Sequence, residues 1–165
     1  MDYRYEAVWN KHTPSQIEEI IAFWSTEHAL PVAEDAQERA KQAVVLARDG
    51  DDRIIGISTA QARIVPRIGQ PMYYYRMYSA PAHRGQRTGF TLVEKTQRIL
   101  QDFTQAERSP AAIGIVLEIE NAEYRERYPQ AAWPMGFNFI GYSPRSLPIY
   151  AYYFPEAKLL PPSRR

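Results

Sequence analysis

Downstream of Gln86 the chain places Leu92, Val93, Thr96, Ile99, Leu100 and Phe103 on one helical face and Glu94, Lys95, Gln97, Arg98 and Asp102 on the other. This is the clearest amphipathic helix in the sequence. Ile17, Ile20, Ile21, Trp24 and His28 trace an earlier one. It starts at Thr13-Pro14-Ser15-Gln16, which supplies a capping hydroxyl, a proline at the first helical position and a Gln that can reach back, and it breaks at Leu30-Pro31. A shorter helix is predicted over residues 33–41. Another should run from a cap at Asn121 to about Tyr128.

Between these helices the period falls to two. Residues 3–9 alternate as a first strand; residues 43–48 and 53–65 form a hairpin about the turn Asp49-Gly50-Asp51-Asp52; residues 72–79, after a turn at 66–71, add a third consecutive strand. Residues 112–119, 139–142 and 147–154 complete the strands. The order is strand, two helices, three strands, helix, strand, helix, two strands. It predicts an α/β (α+β) fold with a mixed, mostly antiparallel central sheet of about seven strands flanked by about four helices. One domain over residues 1–155 and a flexible tail over 156–165 are expected.

Composition narrows the chemistry. With 165 residues, 45% of them hydrophobic and 24% charged, the chain has the makings of one folded domain. The 20 Lys and Arg against 19 Asp and Glu exert no general pull on nucleic acid or an anionic membrane, so any anion site must be local. There is no cysteine, which removes disulfides, thiolate metal sites and a cysteine acyl-enzyme and is compatible with a reducing cytoplasm. The first six residues, Met1 to Glu6, lack the apolar run of a signal peptide, and no stretch approaches a membrane span. His12, His28 and His83 lack the spacing of a metal motif, so no metal is expected. The 12 Tyr, 6 Phe and 3 Trp crowd into residues 72–78 and 137–154, as sheet packing or pocket walls require.

One turn stands out. Between a strand and the amphipathic helix lies Ser79-Ala80-Pro81-Ala82-His83-Arg84-Gly85-Gln86-Arg87-Thr88-Gly89-Phe90. Glycines let the backbone approach an anion, the helix start offers N–H groups and partial positive charge, and Arg84 and Arg87 add full charges. On residues alone this is a generic phosphate site. Glu118 and Glu120 share the side-chain parity opposite to Ile113, Ile115, Leu117 and Ile119, so either could face a cleft as a base.

The turn and its place in the order of elements resemble the Gcn5-related N-acetyltransferase (GNAT) superfamily, whose signature is a strand, Pro-x-x-Arg-Gly-x-Gly-x-Gly/Ala, then a helix. Pro81, Arg84, Gly85, Gln86 and Gly89 match it in register, and Gly136-Phe137 stands where the family usually has Gly-Phe. Arg87 replaces the middle glycine, and Thr88 the usual aliphatic. The resemblance implies direct acetyl transfer from acetyl-CoA to a primary amine of a small molecule or protein. It implies that Arg84, Gly85, Gln86, Arg87, Thr88 and Gly89 hold the pyrophosphate. Met77, Tyr78 and Ser79 would offer backbone groups to the pantetheine arm, and Asn121 is carried over with the cofactor contacts. A Tyr on the following helix would be the acid. Counting forward from Asn121 gives Tyr128; counting backward from Gly136-Phe137 gives Ala132. Glu118 is taken as the base. A homodimer is common for the fold, and residues 150–154 could support one. Two alternatives remain: an acyl-CoA-binding module without turnover, and an interaction domain using Arg76, Arg84 and Arg87 among Tyr73, Tyr74, Tyr75 and Tyr78.

Overall fold

The computed structural model describes residues 2–32 and 34–161. Its elements run β1 (Arg4–Ala7), α1 (Pro14–Glu27), α2 (Ala36–Ala40), β2 (Ala43–Arg48), β3 (Ile54–Val65), β4 (Gln70–Ser79), α3 (Thr88–Gln105), β5 (Gly114–Glu118), α4 (Ala122–Arg127), β6 (Asn138–Tyr142) and β7 (Pro148–Tyr153). The strands form a seven-stranded sheet in the order β1-β2-β3-β4-β5-β7-β6, in which β4 and β5 pair in parallel. The α/β fold class and the predicted order hold. Boundaries moved where capping decided them: α1 ends at Glu27 because His28 turns left-handed at φ 51°, and α2 starts only after Asp35, whose carboxylate accepts the Glu38 N–H at 3.1 Å. Residue 33, where the second helix was expected to begin, lies outside the described residues, as do 162–165 of the expected tail.

The chain divides into two compact units. The first comprises Met1–Ala60 and Met77–Leu100. Its core joins Val8, Ile20, Trp24, Ala40, Ala43, Leu46, Ile54 and Ile57, so the apolar face of α1 buries against β2 and β3. Two polar pairings are built into this core. Where the β2–β3 register shifts, the Val45 N–H finds Ser58 Oγ at 3.2 Å, and Ser58 is itself 2.7 Å from Thr96 Oγ1 on α3. Arg48, 5% exposed, donates through Nε to Glu6 at 2.9 Å and through Nη2 to Glu19 at 2.8 Å. A buried charge survives only when paired in this way.

The second unit comprises Gln61–Arg76 and Gln101–Arg165. Val65, Met72, Ile113, Val116, Ile149 and Ala151 form its core. Gly114 is required there: a Cβ would stand 2.1 Å from the Tyr152 carbonyl oxygen across the β5–β7 ladder. Leu160, in the expected tail, exchanges hydrogen bonds with the Gln70 side chain, both at 2.9 Å.

Candidate functional site

The turn expected to hold a phosphate lies wholly in the first unit. At the end of β4 the Ala80 N–H donates to the Ile55 carbonyl at 2.8 Å, and Pro81–His83 form one 3₁₀ turn. Gly85 then takes φ +82°, with no atom near its missing Cβ, so conformation rather than space calls for glycine. Arg87 takes φ 61°. This is a left-handed backbone, a conformation that costs an L-residue roughly 1–2 kcal/mol. Thr88, 1% exposed, opens α3, and the Arg87 carbonyl accepts from Thr91 N–H at 3.0 Å and Oγ1 at 3.2 Å. A Cβ on Gly89 would meet the flexible end of Met77, with Cε at 2.9 Å, so the first turn of α3 lies beside the Met77 side chain of β4.

Side chains brace this backbone from both sides. Arg84 folds back, donating from Nε to the Ser79 carbonyl at 3.1 Å with its guanidinium 5.5 Å from the Tyr78 ring centre. Tyr78 rests edge-on against Phe23 at 6.0 Å. Tyr3, from the segment before β1, donates its hydroxyl to Gln86 Oε1 at 2.6 Å and lies 2.9 Å from His83 Nδ1. Nothing in the local pattern announced Tyr3, which is 80 residues from His83 in sequence.

The residues expected to do the chemistry lie in the second unit. The parallel ladder joins Tyr73 to Ile115 and Tyr74 to Val116. Glu118, at the end of β5, accepts from the Tyr74 hydroxyl at 3.0 Å and from Arg145 Nη2 at 2.8 Å; the same nitrogen lies 2.8 Å from Glu120. Both Glu118 oxygens are engaged. Burial first, then the Glu118 charge, pushes the Tyr74 phenol up to about 12. Arg63 stacks over the same ring at 4.2 Å.

Asn121 begins α4, its carboxamide oxygen accepting the Tyr124 N–H at 3.0 Å. Arg125 bonds the Ile119 and Glu120 carbonyls at 2.9 and 2.6 Å, closing the turn between strand and helix. Tyr128 caps the far end of α4, its ring 4.7 Å from that of Tyr124. Ala132, the residue of the backward count, lies off the helix in a bridge to Asn138. Tyr124, which neither count selected, is pushed up to about 12 by burial first and by Tyr128 second. Among the described residues, no three His, Asp or Glu gather as metal ligands, and no helix is long and apolar enough to cross a membrane.

No protein-family model matches the sequence, and no curated protein does. Solved structures do match. The ribosomal-protein-S5-alanine acetyltransferase from Vibrio fischeri superposes with a TM-score of 0.64 at 10% identity, over 94% of this chain and 95% of that one. A GNAT superfamily phosphinothricin acetyltransferase (Pat) from Sinorhizobium meliloti, in complex with AcCoA, gives 0.60 at 16% identity over 99% and 95%. The NatC complex bound to Gag peptide and CoA gives 0.59 at 17% identity over 94% and 99%. The fold is that of the GNAT acetyltransferases.

Two features of the sequence signature now have a physical basis within the GNAT fold. In the Gly-Phe pair, Gly136 adopts φ +83° against the Tyr152 ring, and Phe137 is 1% exposed with its ring 5.6 Å from the same tyrosine. In the phosphate turn, both the matching glycine, Gly85, and the departing residue, Arg87, are left-handed.

Proposed function

We propose that this protein is an acyl-CoA-dependent N-acyltransferase, moving an acetyl group from acetyl-CoA directly to a primary amine of a small molecule or protein. The observation that carries the proposal is the conformation of Arg87. Its identity departs from the GNAT signature while its backbone is left-handed, and backbone strain of this kind clusters at functional sites. In this reading Gly85, Gln86, Arg87, Thr88 and Gly89 present backbone groups to the pyrophosphate, Arg84 and Arg87 add charge, and Met77, Tyr78 and Ser79 face the pantetheine arm. Asn121, spending its oxygen on the cap, has its NH2 group to offer the cofactor.

Attack of the neutral amine on the thioester carbon forms a tetrahedral oxyanion; its collapse breaks the carbon–sulfur bond, and the departing thiolate takes a proton. Tyr128 is the proposed donor of that proton. Glu118 is the proposed base for the amine, which requires Arg145 to move from its carboxylate. The test is calorimetric titration with acetyl-CoA together with release of free CoA across a panel of amines. Saturable binding with amine-dependent release is expected; no binding at millimolar ligand would sink the proposal.

The occupied carboxylate of Glu118 favours a second reading, an acyl-CoA-binding module without turnover. Tight binding with no product from any amine would select it.

A further inference from the structure

Tyr75 carries a hydroxyl that the reading above leaves unused. It stands on β4 directly after Tyr74, whose pairing with Val116 is the last step of the parallel ladder to β5. The residue is only 6% exposed, and its hydroxyl is buried with no hydrogen-bond partner among the described residues. Taking a phenol out of water without an acceptor is costly, and phenylalanine would fill the same volume without that cost.

The surroundings define what the hydroxyl can serve. Tyr124 of α4 is its electrostatic neighbour, and burial first, then Tyr124, holds the Tyr75 phenol well above its ordinary range. It therefore keeps its proton and can donate at any working pH. Tyr124 in turn lies 4.7 Å from the Tyr128 ring and 5.6 Å from that of Trp133. Aromatic faces carry negative quadrupole density, which disfavours an anion beside them, while a planar neutral group can lie against the rings. A buried donor that interacts with Tyr124, one residue past the last pair of the parallel ladder, suits one neutral carbonyl oxygen.

We propose that Tyr75 Oη donates a hydrogen bond to a neutral carbonyl of the acyl-pantetheine arm of acyl-CoA, which makes Tyr75 a ligand-binding residue within the second unit. This rests on the acyl-CoA reading above. The shared chemistry is a carbonyl acceptor, and its two sources are the pantetheine amides and the acyl thioester.

The test is Tyr75→Phe, with the affinities of acetyl-CoA, of CoA and of the adenosine bisphosphate fragment measured calorimetrically alongside the melting temperature. Because the hydroxyl has no hydrogen-bond partner among the described residues, the variant is expected to melt at the same temperature or higher. Acetyl-CoA should bind roughly three- to tenfold more weakly, the range for one lost neutral hydrogen bond, with the adenosine fragment unchanged. An equal loss with CoA assigns the donor to a pantetheine amide; a loss confined to acetyl-CoA assigns it to the thioester. Unchanged affinity for both would overturn the inference and leave the acyl-CoA reading standing. A fall in melting temperature with equal weakening of all three ligands would also overturn it, as general damage. Failure of the unaltered protein to bind any of the three removes the acyl-CoA reading and this inference together.

Discussion

The chain enters α3 and α4 by different means. Before α3 stand two left-handed residues, one of them the arginine Arg87, and the turn is braced from outside by Tyr3 through Gln86 and His83. Before α4 stands Asn121 at an ordinary φ of −69°, whose own side chain accepts the N–H of Tyr124, while Arg125 bonds the carbonyls behind it. The second turn satisfies itself. The first holds a non-glycine residue at positive φ, a strained backbone that the proposed anion site would use.

The comparison can be broken most forcefully at Gly85. Gly85→Val forces a β-branched residue to φ +82°, and a stability loss of roughly 2 kcal/mol with at least a tenfold drop in acetyl-CoA affinity is expected, read by denaturant melts and calorimetry. A variant that binds as before would show that the turn's shape does not matter. At the other helix, Asn121→Ala should cost about 1 kcal/mol for the lost cap. Asn121→Asp, an equally good cap, should restore that stability; any remaining loss of CoA affinity then reports the missing NH2 donor.

Arg145→Gln separates chemistry from binding. The ion pair is largely exposed on the arginine side, so stability should change by about 1 kcal/mol or less. Steady-state assays should show faster amine-dependent CoA release with unchanged acetyl-CoA affinity if Glu118 is the base. An unchanged or slower rate contradicts that role. Arg87→Gly should move stability by about 0.5 kcal/mol or less, because relief of the left-handed strain is offset by the freer unfolded chain. Binding of CoA should weaken a few-fold and depend less on salt as one phosphate-facing charge is lost.

A pH titration reads two half-buried phenols of the second unit. The phenols of Tyr74 and Tyr124, both up to about 12, keep their protons in the folded state above the pH at which an unfolded tyrosine ionises. The unfolded chain then binds fewer protons. Stability contributed by these groups is complete below about pH 10 and is lost as pH rises towards 12. Chemical melts across that window, paired with ultraviolet phenolate titration, should follow the same curve.

What could be read from the sequence follows from what is local. Period, caps and turn residues are short-range signals, so the amphipathic α3, the Thr13–Gln16 capping box and the β2–β3 hairpin were legible. The turn before α3 was legible through Gly85 and Gly89. The backbone of Arg87 was not, because a non-glycine residue carries no mark of left-handed φ and only the alignment to a family pattern pointed at the position. Long-range pairings were hidden for the same reason. Nothing near Glu118 tells that Arg145 closes on it, nothing near Gln86 points to Tyr3, and side-chain parity alone does not reveal that Tyr75 buries a hydroxyl without an acceptor.

We propose that the turn before α3 holds the pyrophosphate of an acyl-CoA. The most direct test is a titration of acetyl-CoA followed by the backbone amide resonances of the protein. Saturable shifts concentrated at Gly85, Gln86, Arg87, Thr88 and Gly89 are expected. Amides there that stay unmoved at millimolar acetyl-CoA would contradict it.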